Sequence, residues 1–423
     1  MNSIEYVASI LKQEGVEWMA CYPSNPLIEA VAKEGIRPVA FRHERGAVMA
    51  ADGFSRLSDR KRFGVVAMQS QAGAENSVGG LSQAFADNVP ILVLPGGNPL
   101  DMLFVRPNFF AARTWESVVK KVEFISRPDQ TGNVMRRAFH ALRSGTTGPV
   151  VVEMPIDVCM ADIPDRAQPY TSPLPAVSGP SPHDLDDAAK ALVAAKNPLI
   201  WAGAGVLTAG ATQELQELAE LLDIPVYTSM PGKSAFDERH PLALGAGGST
   251  VTGPARQWLD DADVIFAVGA SLTSSPYAQR FSPEKFLIHS VINIDEINKD
   301  TIADIGLAGD ARLTLTAMLD LVKGLVGEDG RNTGVQERIA VARTEWMESW
   351  RPYLTNDDAP LSPYRVIHEM GQNLDLGNSV VTHDAGAPRD QIVPFYTATT
   401  PHSYIGWGKS THLGFSIPLM IGA

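Results

Sequence analysis

Short apolar runs alternate with segments of helical periodicity along most of the chain. The pattern begins with Ile4, Val7, Ala8 and Leu11, which recur at helical spacing before the apolar run 18–22. Further apolar runs follow at 38–41, 63–68, 91–94, 148–155, 198–202, 225–227, 263–269 and 379–383. Apolar runs of this kind, separated by helices, are typical of parallel strands that are buried on both faces. The sequence therefore predicts the α/β class, with doubly wound parallel sheets.

Two segments interrupt this alternation. Residues 165–182 are rich in Pro and Ser and are predicted to form an exposed linker. A second linker is predicted over roughly 327–360, with a helical pattern at 335–342. At about 150 residues per domain, a chain of 423 residues holds two or three domains. We predict three doubly wound domains, at 1–165, 183–326 and 361–423, the third incomplete.

Composition narrows the class of protein and of partner. Hydrophobic residues make up 44% of the chain and charged residues 20%, as in globular proteins with a large core. The net charge of −13 argues against nucleic acid and anionic membrane surfaces as partners. Cys21 and Cys159 lie in apolar contexts and are expected to be reduced core residues. Since no apolar run reaches the roughly 18 residues of a membrane span and the N-terminus lacks a signal-peptide core, we expect a cytoplasmic enzyme.

Glu44 is the first candidate for chemistry. It follows the apolar run 38–41 and opens a segment that has small residues at helical spacing. These small residues are Gly46, Ala47, Ala50 and Ala51. A carboxylate at the point where a strand leads into a closely packed helix is expected to be half buried. An ordinary role is equally open, because acids in first turns often cap the helix or pair with a neighbour, here Arg42 or Arg45.

Two turns follow other strand ends. The Pro-Ser-Asn-Pro turn at 23–26 comes after the run 18–22, and the loop 69–76 comes after the run 63–68. Open α/β sheets bind ligands at the carboxyl ends of their strands, so both turns are candidate binding segments. Each also has an ordinary explanation, as a connection between strand and helix or, for Gly73, as a tight turn.

Together these segments resemble the thiamine diphosphate (ThDP) enzymes related to acetolactate synthase, benzoylformate decarboxylase and oxalyl-CoA decarboxylase. The family pattern around Glu44 is a strand, an acid and an Ala-rich helix ending in Ala-Asp-Gly-aromatic-x-Arg, which residues 51–56 match. Further matches, in the family's order, are Gly73, Ala74, Asn76, Asp87, Pro90, and the segments 148–157, 384–388 and 414–423. Gln71 departs from the family pattern, because it replaces a glycine and is expected to narrow the space near the reacting carbon.

The resemblance implies roles for particular residues. Glu44 would be the catalytic carboxylate that activates the cofactor through its aminopyrimidine ring. The implied cofactor-binding residues are Pro23, Gly73, Asn76, Gly386, Ala387, Pro388 and Leu413. Candidate substrate or proton-relay residues are Ser24, Asn25, His43, Gln71, His402 and His412. A purely structural role stays open for each of these six candidates.

The resemblance also bears on metal, flavin and assembly. Family members hold Mg²⁺ with a Gly-Asp-Gly turn and a later Asn, so magnesium is expected with its ligands beyond Ala423 and none within this chain. We expect a longer protein, or else a split enzyme completed by a second chain. Flavin (FAD) is not expected, because Gly203-x-Gly205 lacks a third glycine and residues 270–274 replace the family's Arg-Phe-Asp-Asp-Arg segment. A homodimer or homotetramer is implied, since in the family the glutamate and the diphosphate domain come from different subunits.

The implied function is ThDP-dependent making or breaking of a carbon–carbon bond next to a carbonyl. The leading expectation is acetolactate synthase-like decarboxylation of a 2-oxo acid, with carboligation to a second carbonyl compound. Lyases of 2-hydroxyacyl-CoA or oxalyl-CoA and aromatic 2-oxo acid decarboxylases are the alternatives within the family. A non-catalytic homologue with a structural or regulatory role is the alternative of another class.

Overall fold

The computed structural model describes residues 1–58, 62–165 and 167–423. Their contacts divide them into two compact units. The first unit is Met1–Ala176 together with Lys409–Ala423, and the second unit is Val177–Gly408.

The first unit is built on a six-stranded parallel sheet. Its strands are β1 (Trp18–Cys21), β2 (Arg37–Ala40), β3 (Gly64–Met68), β4 (Ile91–Gly97), β5 (Lys121–Phe124) and β6 (Val150–Pro155). They lie in the order β2-β1-β3-β4-β6-β5, and each adjacent pair is parallel. Strands β3 and β6 are buried along their whole length, as the apolar runs predict.

Helices connect the strands of the first unit. They are α1 (Ser3–Gln13), α2 (Leu27–Lys33), α3 (Glu44–Arg56), α4 (Ala72–Ala86), α5 (Ala111–Thr114), α6 (Thr131–Arg143) and α7 (Ile156–Cys159). Helix α1 begins with a capping box in which the side chains of Asn2 and Glu5 each bind the other's backbone N–H. Helix α3 is capped instead by His43, whose Nδ1 accepts a hydrogen bond from the N–H of Arg45 over 3.1 Å.

A last helix of the first unit, Ser416–Gly422, packs closely on α3. We call it the final helix. A Cβ atom at Gly53 would overlap the carbonyl oxygen of Leu419, and one at Gly422 would overlap that of Ala50. Both contacts are between backbones, so glycine is needed on each side of this packing.

The second unit holds a second six-stranded parallel sheet. Its strands are β7 (Pro198–Ala202), β8 (Val226–Ser229), β9 (Ala243–Gly247), β10 (Val264–Val268), β11 (Phe286–Val291) and β12 (Ile305–Ala308). Their order is β12-β11-β10-β7-β8-β9. Two short strands, β13 (Val381–Thr382) and β14 (Tyr404–Ile405), form a separate parallel pair. The helices of this unit are α8 (Pro182–Ala194), α9 (Ala204–Ala209), α10 (Thr212–Leu222), α11 (Gly253–Asp261), α12 (Ala311–Val326), α13 (Val335–Leu354), α14 (Pro363–Asn373) and α15 (Ala387–Ile392).

The predicted fold class is confirmed, since both large sheets are parallel and alternate with helices along the chain. The three-domain division at 1–165, 183–326 and 361–423 stays a prediction. Residues 361–408 belong to the second compact unit, and residues 409–423 belong to the first. Cys21 and Cys159 are both buried and unpaired. Within the described ranges, no helix has the length and apolarity that crossing a membrane requires.

Candidate active site

Glu44 is the first residue of α3 and only 4% of its surface is exposed. Asn76, in the first turns of α4, donates a hydrogen bond from Nδ2 to Glu44 Oε2 over 3.1 Å. The helix is capped by His43 and not by Glu44, and Nδ1 of His43 lies 3.9 Å from Glu44 Oε2. Among the described residues, no ion pair joins Glu44 to Arg42 or Arg45. Glu44 is therefore a nearly buried carboxylate without a guanidinium partner.

Gly73 brings the backbone of α4 close to this carboxylate. A Cβ atom at Gly73 would lie 3.4 Å from Glu44 Oε1 and 2.7 Å from Cγ of Gln69. Gly73 thus lets the backbone of α4 lie close to Oε1, the carboxylate oxygen that Asn76 does not bind. The structure brings together Glu44, Gly73 and Asn76, three of the residues to which the resemblance gives roles in the site.

The turn after β1 is held by Asn25, which is 5% exposed. Its Nδ2 donates to the carbonyl oxygens of Met68 over 2.8 Å and Leu94 over 3.1 Å, and its Oδ1 accepts from the N–H of Leu27 over 3.0 Å. Asn25 therefore ties the turn after β1 to β3 and β4 through backbone groups. Pro23 and Ser24 are exposed, and Ser24 has a positive φ of 81°.

His412, just before the final helix, lies against α4. A Cβ atom at Gly79 would lie 3.1 Å from Cε1 of His412 and 3.5 Å from Cδ of Arg45. Burial, and then the positive charge of Arg45, lower the pKa of His412. His43 and Leu413 are more open, with a side chain 56% exposed for the histidine and a residue exposure of 73% for the leucine.

The proposed diphosphate turn lies in the second unit. Gly386 has φ 82° and directly precedes α15, and the first two residues of α15 are Ala387 and Pro388. All three are exposed. His402, one of the candidate substrate or proton-relay residues, is also in this unit and has a positive φ of 62°. Within the described ranges, no group of three or more His, Cys, Asp or Glu side chains is placed to hold a metal ion.

Two residues near these turns were missed by the sequence analysis. Asn98 is 8% exposed and binds both Gln71 and the carbonyl oxygen of Phe109. Glu153, 1% exposed on β6, accepts a hydrogen bond from the N–H of Ala112, and burial raises the pKa of Glu153 to about 7. The position of Asn98 directly after β4 could have identified it, because parallel sheets bind ligands at the carboxyl ends of their strands.

Comparison with known proteins adds a family. The model of the N-terminal TPP binding domain of thiamine pyrophosphate enzymes matches residues 1–107, and that of their central domain matches residues 185–318. A probable acetolactate synthase large subunit of Methanococcus aeolicus is 30% identical, over 100% of this chain and 74% of that protein. A probable acetolactate synthase large subunit of Methanocaldococcus jannaschii is 31% identical, over 100% of this chain and 73% of that protein. The acetolactate synthase isozyme 3 large subunit of Escherichia coli is 30% identical, over 100% of this chain and 75% of that protein.

Proposed function

This chain belongs to the family of ThDP enzymes that includes the acetolactate synthase large subunits, and from that premise we propose roles for its residues. It is a ThDP-dependent enzyme of the acetolactate synthase type, and its substrates are small 2-oxo acids. When bound, ThDP supplies a nucleophilic carbon and an electron sink for the decarboxylation of such an acid.

Glu44 is the proposed catalytic residue, and the observation that carries this assignment is its buried carboxylate with one oxygen engaged and one left open. Asn76 binds Oε2 and fixes the orientation of the carboxylate, while Oε1 lies beside Gly73. A ring nitrogen of the cofactor would bind Oε1, since a side chain at position 73 would crowd this oxygen. Glu44 would hold the proton that it shares with that nitrogen, which is general acid–base work at a single oxygen atom.

The remaining assignments follow the family and are proposals. In the first unit, Pro23, Gly73, Asn76 and Leu413 would contact the cofactor. In the second unit, the backbone N–H groups of Gly386 and Ala387, in the turn that continues into Pro388, would bind diphosphate, accompanied by Mg²⁺. The absence of flavin at Gly203 and Gly205 stays a prediction, as does a cytoplasmic location.

Self-association is also part of the proposal. The final helix and the residue that leads into it expose a row of apolar side chains, with Leu413 73%, Ile417 74% and Ile421 61% exposed. A large apolar row of this kind on a surface supports a protein–protein contact. We therefore propose a homodimer or homotetramer, which analytical ultracentrifugation of the wild-type protein would test.

The substitution Glu44→Gln tests the catalytic assignment. It keeps the shape of the side chain and the bond to Asn76 but removes the shared proton site. We expect turnover of a 2-oxo acid to fall by about 10² to 10⁴, with ThDP affinity changed by only a few fold. The exposed Glu75, in the same turn of α4 as Asn76, supplies the matched control Glu75→Gln. Near-normal turnover of Glu44→Gln would refute the assignment.

A further inference from the structure

Gln71 has a backbone conformation that glycine normally supplies. It precedes α4 with φ 58° and ψ −122°. Residues other than glycine hold such a backbone conformation only when their surroundings enforce it, and such residues cluster at functional sites. The surroundings of Gln71 therefore indicate what this chain gains by placing a long side chain where its family has glycine.

A closed triangle of hydrogen bonds holds the Gln71 side chain. Its Nε2 donates to Asn98 Oδ1 over 3.0 Å, and its Oε1 accepts from the backbone N–H of Phe109 over 2.9 Å. Asn98 completes the triangle by donating from Nδ2 to the carbonyl oxygen of Phe109 over 3.2 Å. Two side-chain amides thus bind both polar groups of one backbone residue. A fourth bond, from Gln71 Nε2 to Asn108 Oδ1 over 3.4 Å, supports the same arrangement.

These bonds use both N–H donors of the Gln71 amide. A glutamine amide has two N–H donors, and here one goes to Asn98 and the other to Asn108. The amide therefore has no donor left for a substrate. Gln71 is better suited to position a neighbouring segment than to bind the reacting molecule.

The segment that Gln71 holds is the loop 98–110. Asn98 directly follows β4, and Phe109 lies two residues before α5. The start of α5 is in turn fixed to the sheet, since the N–H of Ala112 donates to Glu153 Oε2 over 2.6 Å. Both ends of the loop are therefore fastened at the carboxyl edge of the first sheet, while its tip projects outward with Phe104 75% exposed.

The loop is fastened to the same helix that faces the catalytic carboxylate. Gln71 lies two residues before Gly73 and five before Asn76, and both of these approach Glu44. A glycine at position 71 could not make any of the three side-chain bonds. The loop 98–110 would then lose its side-chain bonds to the turn at which α4 begins, although the N–H of Leu100 would still donate to Asp157 Oδ2 over 3.1 Å.

We propose that Gln71 and Asn98 are positioning residues. Their hydrogen bonds, which we call the latch, hold the loop 98–110 beside the turn at which α4 begins and so limit the size of the 2-oxo acid that the site admits. Only the limit on substrate size rests on the proposed function. The latch itself is a property of the first unit, and it is testable without turnover.

Hydrogen–deuterium exchange of the backbone N–H of Phe109 tests the latch. We expect Gln71→Gly and Asn98→Ala each to speed the exchange of this N–H by at least about 10-fold, because its acceptor is removed or loosened. The exposed Arg113→Ala, in the adjacent helix α5, is the matched control and should leave the exchange unchanged. Since Gln71→Gly also relieves the backbone strain, its melting temperature should fall little, which separates local release from unfolding. Unchanged exchange in both variants would overturn the latch.

The ratio of kcat/KM for two substrates tests the limit on size. With pyruvate as the small 2-oxo acid and 3-methyl-2-oxobutanoate as the branched one, both latch variants should raise the ratio of branched to small by about 5-fold or more. A merely structural role would lower both values together and leave the ratio fixed, which would overturn the size limit. If the wild-type protein failed to bind ThDP, the proposed function would fail, and the exchange of Phe109 would still decide the latch.

Discussion

Asn76 Nδ2 donates a hydrogen bond to Glu44 Oε2 over 3.1 Å, and this bond joins the first turns of α3 and α4. Glu44 is buried, whereas Asn76 lies at the exposed side of the pair. The bond fixes one carboxylate oxygen and leaves the other beside Gly73. The orientation of the proposed catalytic group is thus set by a residue of a different helix.

Replacing Asn76 by Ala should therefore lower kcat/KM more than it lowers stability. The bond to a charged acceptor is worth about 1.5–3 kcal/mol where it orients the group, which corresponds to a loss of roughly 10-fold or more in kcat/KM. We expect thermal unfolding to change little, because Asn76 is exposed. Steady-state kinetics alongside the variant Glu75→Ala would check this. Equal losses in the two variants would show that Asn76 does not orient Glu44.

The fold followed from the sequence where apolar runs were continuous. Strands β3 and β6 lie within predicted runs because both of their faces are covered, which leaves a strong local signal. The predicted linker at 327–360 was different, since it contains the 20-residue helix α13. The structure buries Val335, Ile339 and Leu354 in that helix, and so few buried positions give a weak periodic pattern.

The site was predictable in part. The roles of Glu44, Gly73 and Asn76 in one site were predicted from the family resemblance and not from spacing, because the two segments are far apart in sequence. The triangle of Gln71, Asn98 and Phe109 depends on the path of a loop between β4 and α5. No local pattern encodes that path, so the pairing emerged only from the structure.

A second prediction concerns the packing of α3 on the final helix. Gly53→Ala should destabilise the first unit by about 3 kcal/mol or more, because its Cβ would overlap the backbone of Leu419 and a backbone atom cannot swing aside. Gly46→Ala, in the same helix, is the control: its Cβ would lie 3.7 Å from Phe41 and 3.9 Å from Pro418, which are ordinary contacts. Urea unfolding of both variants decides the matter, and similar midpoints would contradict the packing.

A third prediction follows from the buried carboxyl of Glu153. Its pKa in the folded state is about 7, above the ordinary value of 4.5, because burial disfavours the charged form. The folded state therefore binds more protons than the unfolded state between these values. The contribution of Glu153 to stability is full below pH 4.5 and is lost as the pH rises through 7, by about 3 kcal/mol in total.

Glu153→Gln removes this proton binding while it keeps an oxygen for the N–H of Ala112. The variant should match the wild type in stability near pH 4.5 and exceed it at pH 8. Urea unfolding at several pH values measures the difference between the two proteins, so that other titrating groups cancel. A difference that stays constant with pH would show that Glu153 does not titrate in this range.

The last prediction concerns a buried ion pair in the second unit. Lys233 Nζ lies 2.6 Å from both oxygens of Glu238, with side chains only 1% and 9% exposed. Burial lowers the pKa of Lys233, while Glu238 counteracts this by favouring the charged form. Glu238 also accepts from the N–H of Ala398 over 2.8 Å, so the pair joins the loop after β8 to the segment before β14.

Lys233→Met should therefore cost about 3–5 kcal/mol, because it leaves the carboxylate of Glu238 buried without its cation. Adding Glu238→Gln should recover most of that loss, since the amide can still accept from Ala398 and no charge remains buried. Arg256→Met, which breaks an exposed pair with Asp260 in the same unit, is the control and should change stability little. A double variant no more stable than Lys233→Met alone would mean that the cost lies in lost packing around the lysine and not in the unpaired charge.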